Sequence, residues 1–376
     1  MSTMSSMSST LASAVTPLRY SPAYEHPAPD EAQTQAEIDA QMHRIQERTF
    51  ADGGKALRSV HAKSHGLLVG ELRIPAGLAP ELAQGLFARP ATLPLVVRLS
   101  TVPGDLLPDD ISTPRGMALK VIGVEGERLP GSEGDVTQDF VLVNGPSFGR
   151  PDAKSFARGL KLLAATTDRA EGAKQVLSAA LRGLEKVVEV VGGQSATLTA
   201  LGGHPETHPL GETYYSQVPV LFGEYFGKIC VRPASPSLKA LHGEPVDLAH
   251  RPDGLRDAVA AWFAEQGGEW DLCVQLCTDI GEMPIEDASV AWDETASPFV
   301  PVARIVLGAQ ASWSDARARS IDEGLAFSPW HGLAAHRPLG SVMRIRREAY
   351  DAARRFRAER NQRALSEPKA MVDIGL

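Results

Sequence analysis

Cysteine is scarce in this 376-residue chain, which holds three: Cys230, Cys273 and Cys277. An odd count without framework spacing excludes a disulfide scaffold and points to buried, reduced thiols in a reducing compartment. Cys273-Val-Gln-Leu-Cys277 has a spacing that suits a metal, but no second ligand pair stands near it. Apolar runs are short too. None approaches the roughly 20 residues that cross a bilayer, and Met1-Ser-Thr-Met-Ser-Ser-Met lacks the basic region and apolar stretch of a secretory signal. A cytoplasmic location is expected. Positive charge is in deficit, 38 Lys+Arg against 46 Asp+Glu for a net −8, which argues against a nucleic-acid partner. The rest is ordinary for a globular chain, 43% hydrophobic and 22% charged, with length for one large domain or two modest ones.

Residues 1–30 are rich in Ser, Ala and Pro and are expected to form a flexible arm. Glu31 to Thr49 has helical spacing. After Gly53-Gly54 the pattern changes to short β-type runs bounded by Gly and Pro: His65–Ile74, Leu93–Thr101, Met117–Ile122 and Asp139–Asn144. Helices are expected at Ala153 to Ala165 and at Ala173 to Val191, the second closed by Gly192-Gly193. Strand-like runs resume at Thr213–Val220, Lys228–Val231, Asp271–Leu276 and Val302–Leu307, and a last helix is expected from Ser341 to Asn361. No internal repeat is visible. The expected class is α+β, its short strands forming a barrel or sandwich rather than alternating βα units. The expected organisation is an arm over 1–30, one domain over 31–365 and a tail over 366–376.

Chemistry concentrates in a few segments. Met343 to Arg363 holds eight arginines, and Arg346, Tyr350, Arg354 and Arg357 recur at helical intervals that share one face. A phenol ordinarily ionises near pH 10, and fixed positive charge beside it favours the phenolate, a good ligand for a hard ferric ion. The bland alternative is a solvated arginine-rich face with an edge tyrosine. Upstream, Arg58-Ser-Val-His61-Ala-Lys63 offers a histidine with a pKa suited to acid–base work, or a structural histidine at a strand start. Arg98 and Ser100 share a strand face, where the hydroxyl can orient a histidine and the guanidinium can pair with a carboxylate. Asn144, in Asn144-Gly-Pro146-Ser-Phe148, stands at a strand end where asparagine often serves only the turn. His204, His208, His331 and His336 take no assigned role, and Gly203-His-Pro and His336-Arg-Pro look like turn positions.

In order, these segments resemble the core of the haem catalases. The family's distal Arg-x-Val-His-Ala-Lys is matched at 58–63 and its Arg-Phe-Ser-Thr-Val strand at 98–102, apart from Leu99. Its Arg-Gly-Phe-Ala-x-Lys element is matched at 115–120 with Met117 in the aromatic's place. An Asn-x-Pro element is met at 144–146, and Val302–Leu307 is similar to the family's Gly-Arg-Leu-Val-Leu strand. The proximal Arg-x-x-x-Tyr is met by Arg346 and Tyr350, with the arginine seven residues beyond the tyrosine at Arg357.

The resemblance implies a catalase-like antiparallel β-barrel with surrounding helices, a C-terminal ligand helix and haem b. It implies Tyr350 as proximal iron ligand, with Arg346 stabilising its charge. His61 is implied as distal acid/base, Ser100 as its hydrogen-bond partner and Asn144 as the group binding peroxide. Arg58, Arg98 and Arg357 would pair with the haem carboxylates, and Val60 and Phe148 would line the cofactor. The departures matter: Asp351 to Arg355 lack the family's Asp-Thr-His, and the aromatic pair after Asn-x-Pro is reduced to Phe148. Ser64-His65 replaces a glycine. The chain therefore resembles the short, catalase-related branch. A peroxide-metabolising oxidoreductase is expected, acting as catalase or as peroxidase with an organic donor. Conversion of fatty-acid hydroperoxides, as in allene oxide synthases, is an alternative that Val60 tilts against, because threonine stands there in those enzymes. A non-catalytic haem-binding protein is the other. A homo-oligomer, dimer or tetramer, is implied.

Overall fold

The computed structural model describes residues 16–102, 104, 106–166 and 204–376. The helix expected at Ala173 to Val191 lies outside the described residues. Nine strands make one antiparallel sheet: β1 (Ser64–Ile74), β2 (Ala91–Thr101), β3 (Arg115–Ile122), β4 (Thr137–Val143), β5 (Tyr214–Tyr215), β6 (Val220–Phe222), β7 (Tyr225–Pro233), β8 (Gly268–Leu276) and β9 (Val300–Leu307). Their order is β5-β4-β3-β2-β1-β9-β8-β7-β6, and β5 also pairs with β7. That pairing closes eight strands into a barrel, with β6 added to β7 as a hairpin partner. Closure is narrow: Tyr215 faces Val143 on one side and Cys230 on the other.

Strand alternation sorts the residues between two faces. Leu95, Val97 and Leu99 of β2, Met117, Leu119 and Val121 of β3, and Phe140 and Leu142 of β4 enter the main core, which fills the barrel. Their neighbours Val96, Ala118, Ile122 and Val141 turn outward and meet Ile321, Leu325 and Phe327. The cysteines are free and buried. The expected strand Thr213–Val220 is instead two short strands, because Gln217 adopts φ +65° between them and breaks the extended run.

Among the described residues four long helices surround the barrel: α1 (Glu31–Gly53), α2 (Ala153–Thr166), α3 (Gly254–Glu265) and α4 (Ser341–Arg360). The apolar stripe Ile38, Met42 and Ile45 of α1 packs on Ala153, Ala157 and Leu160 of α2 and on Ile345 of α4. Leu255, Val259 and Phe263 of α3 are buried. Carboxylates fix the start of α4: Glu25 accepts from the Gly340 amide at 3.1 Å and Glu286 from the Ser341 amide at 2.9 Å. Negative charge at a helix N-terminus is favourable. Arg344 ties Glu25, Glu31 and Glu286 to the same place at 2.8–3.0 Å. Residues 16–30 thus lie against α4 through Glu25. At the other end Glu367 reaches Lys120 at 2.6 Å, and Ile374 is buried. Among the described residues no helix is long and apolar enough to cross a membrane.

Candidate functional site

A pocket of about 700 Å³, open solvent at its mouth included, lies between the outward face of β2–β4, the loop before β1, the segment around Phe327 and helix α4. The sheet supplies its floor. Arg98 stands opposite Ala118, and Ser100 opposite Gly116, across the β2–β3 ladder. Small residues opposite long ones keep the floor low. Helix α4 contributes Ala349, Tyr350, Ala353, Arg354 and Arg357, one face at intervals of three and four.

His61 enters from the loop before β1. Its backbone is left-handed, φ +56°, which is uncommon outside glycine and costs energy that surrounding contacts must offset. Its amide donates to the Val102 carbonyl at 2.7 Å, and its Nδ1 lies 3.1 Å from Ser100 Oγ. With Nδ1 engaged, Nε2 is the nitrogen left for a ligand. The imidazole lies against Gly116, where an added Cβ would come within 2.6 Å of Nδ1 and Cε1. Burial, then the charges of Arg98, Arg346 and Arg58, push the His61 pKa down to about 3. The ring is therefore a neutral base at physiological pH.

Across α4, the Arg346 guanidinium donates to Tyr350 Oη at 2.6 Å and stacks 5.1 Å above its ring. A phenolate here would meet a positive charge at once. Arg58, Arg98 and Arg357 gather nearby, and Asp322 pairs with Arg98. Arg58 and Arg357 both donate to the carbonyls of Asp322 and Leu325, at 2.9–3.1 Å. Burial, then Arg98, hold the Arg357 pKa down at about 10. Burial opposes ionisation of Asp322, yet Arg98 and Arg58 hold its carboxyl below the usual range. Three guanidiniums against one carboxylate leave excess positive charge that suits an anionic ligand.

The structure thus brings His61, Ser100, Val60, Arg58, Arg98, Tyr350 and Arg357 to one pocket, with Arg346 behind the tyrosine. Two expected residues lie elsewhere. Phe148 packs on Phe156 with ring centroids 5.3 Å apart. Asn144 does not line the pocket: its Oδ1 accepts from the Arg115 amide at 2.7 Å, and its Nδ2 meets His204 Nε2 at 2.6 Å and the Glu212 carboxylate. An amide nitrogen has two protons, and both have partners there. Sequence reasoning missed Asp322 and Phe327, which carry no periodic signal, and gave Gly116 no role of its own. Asp322 belongs to a π-helical turn, Ala318–Glu323, a distortion that recurs at functional sites.

No protein-family model matches the chain, and no curated protein matches it. Solved structures do. A fungal catalase superimposes with TM-score 0.58 at 18% identity, over 88% of this chain and 63% of its own. A bacterial catalase gives 0.54 at 18%, over 95% and 67%. Catalase A from Saccharomyces cerevisiae gives 0.54 at 17%, over 92% and 68%. The chain therefore spans less than two thirds of the fungal catalase's length. At these identities the likeness is one of architecture: the chain has a catalase-like fold, an antiparallel β-barrel with helices around it.

Proposed function

We propose that this chain is a haem-dependent oxidoreductase acting on peroxide. The observation that carries the reading is the meeting, in one pocket, of a neutral histidine base with a tyrosine backed by a guanidinium. The donor chemistry fits haem: a phenol for a hard ferric ion and guanidiniums for carboxylates, beside walls kept small by Gly116, Ala118, Ala349 and Ala353. Tyr350 would hold the iron, Arg346 would hold the charge of the phenolate, and Arg58 and Arg357 would take the carboxylates. Haem, when bound, supplies the redox chemistry that opens the O–O bond.

The chain's own residues manage the proton. His61 Nε2 would accept it from one peroxide oxygen and return it to the other, while Ser100 fixes the ring through Nδ1. Asn144 has its amide nitrogen engaged by His204 and Glu212, so it would not bind the peroxide and His61 would meet it without that partner. Phe148, packed away on Phe156, leaves the wall to Met117, Val141 and Ala118. That opening suits an organic peroxide or donor as well as hydrogen peroxide.

Oxygen release from hydrogen peroxide by the haem-loaded chain, with its absorption spectrum recorded first, tests the reading. A high-spin ferric, tyrosinate-type spectrum with fast release assigns catalase activity. The same spectrum with slow release, but turnover of an organic peroxide and donor, assigns peroxidase activity. A chain that stays colourless with added haem refutes both.

A further inference from the structure

The left-handed turn at His61 has a support beyond Ser100. One Arg98 guanidinium nitrogen donates to the His61 carbonyl at 2.8 Å and to the Ala62 carbonyl at 3.2 Å. Its Nε pairs with Oδ1 of Asp322. The other Asp322 oxygen accepts from Ser64 Oγ, which in turn accepts from Trp313 Nε1 at 3.2 Å. Arg98 is 3% exposed and Asp322 19%. The carboxylate therefore holds the guanidinium in place, and the guanidinium holds two successive carbonyls of the loop that bears the imidazole. Arg98 is engaged by a carboxylate of the chain itself, whereas Arg58 and Arg357 rest on neutral carbonyls and stay available to an anion.

We propose that Asp322 is a positioning residue for the distal base: it fixes Arg98, and Arg98 fixes the His61–Ala62 backbone in the left-handed turn that presents the imidazole to the pocket. The identity of His61 as a base rests on the peroxide reading, but the clamp does not.

The test is a pH titration of the His61 ring by histidine nitrogen NMR, on the full haem-free chain and on Asp322→Asn. The charged groups facing His61 are Arg98, Arg346 and Arg58. Removing the Asp322 charge leaves those cations less compensated, so a purely electrostatic effect moves the His61 midpoint lower. Loosening the turn admits water to the ring and moves it up, toward 6.5. The clamp predicts a rise of at least about one pH unit. An unchanged or lowered midpoint would overturn it. If Asp322→Asn does not fold, Ser64→Ala removes one partner of the carboxylate and leaves every charge in place. A smaller upward move supports the clamp, and no move overturns it. A chain that loads no haem yet shows the rise would remove the peroxide reading and keep the clamp.

Discussion

Gly116→Ala is a one-carbon change that tests how closely His61, the base of the proposed reaction, is fitted. The new Cβ would stand 2.6 Å from both His61 Nδ1 and Cε1, and 3.2 Å from Ser100 Oγ. Ordinary van der Waals contact needs about 3.5 Å, so the ring must retreat by about 1 Å. The backbone gives no relief, because Gly116 is locked in the β2–β3 and β3–β4 ladders opposite Ser100 and Val143. Overpacking of this kind costs about 1–3 kcal/mol. A misplacement of about 1 Å in a reacting group can cost on the order of a hundredfold in rate. Initial rates of peroxide turnover by haem-loaded protein, with urea denaturation alongside, measure both. Gly53→Ala is the control: an alanine there meets nothing within 4 Å and should leave turnover unchanged. Turnover within about twofold of the parent in Gly116→Ala would refute the fit of His61 against the sheet.

Tyr350→Phe should abolish tight haem binding in a spectral titration, and an unaltered spectrum would remove Tyr350 as the ligand. His61→Ala should retain haem but slow reaction with peroxide by on the order of a hundredfold; intact turnover would place the base elsewhere. Burial pushes His61 and His331 down to about 3, and His204, His208 and His336 to about 4. The unfolded chain takes up these protons near pH 6.5 and the folded chain does not. The histidines' contribution to stability should therefore be full above that pH and fall below it, by at most about 1.4 kcal/mol per pH unit for each histidine. Equal urea midpoints at pH 7.5 and pH 5 would contradict this. Lys120 is wholly buried, 2.7 Å from Asp139 and 2.6 Å from Glu367. Burial, opposed by Lys120, pushes the Asp139 carboxyl up to about 7. Lys120→Met leaves two facing carboxylates without their cation and should cost about 3–5 kcal/mol in chemical denaturation; a loss under about 1 kcal/mol would mean that the site relaxes or takes up a proton.

The strands were legible in the sequence as short runs that fit a barrel or a sandwich, and the resemblance to the haem catalases chose the barrel. Leu95, Val97 and Leu99 against Val96, Arg98 and Ser100 declare two faces without any knowledge of their partners. A contact was legible where one local segment holds both partners, as with Arg346 and Tyr350 four residues apart on one helix. It was not legible where the contact joins distant segments. Arg98 and Asp322 are 224 positions apart, and nothing in Arg319-Ser-Ile-Asp322-Glu marks the carboxylate as a partner. Asn144 fell between these cases. Its place at a strand end was readable, but the direction of its amide depends on Arg115, His204 and Glu212, three groups that meet only in the fold. Phe148 is similar: its sequence position places it near the pocket, and its packing on Phe156 of α2 decides where the ring goes.

The placement of the pocket follows from the same division of faces. The barrel interior holds the main core of aliphatic and aromatic side chains. The outward face of β2 and β3 carries Arg98, Ser100, Gly116 and Ala118 in alternation, and α4 covers that floor without filling it, because Ala349 and Ala353 are small. Four guanidiniums, from Arg58, Arg98, Arg354 and Arg357, line the space, and Asp322 compensates one of them. Gathering like charges around one carboxylate costs energy that an anion would offset. An anionic ligand that occupies the pocket should therefore stabilise the fold in proportion to its concentration over its dissociation constant. Arg98 has its partner already. Arg98, paired with Asp322, holds the carbonyls of His61 and Ala62, and under the proposed function the charges of Arg58 and Arg357 would meet the ligand. One pocket thus separates two tasks that a single cluster of arginines, seen in sequence, presents as one.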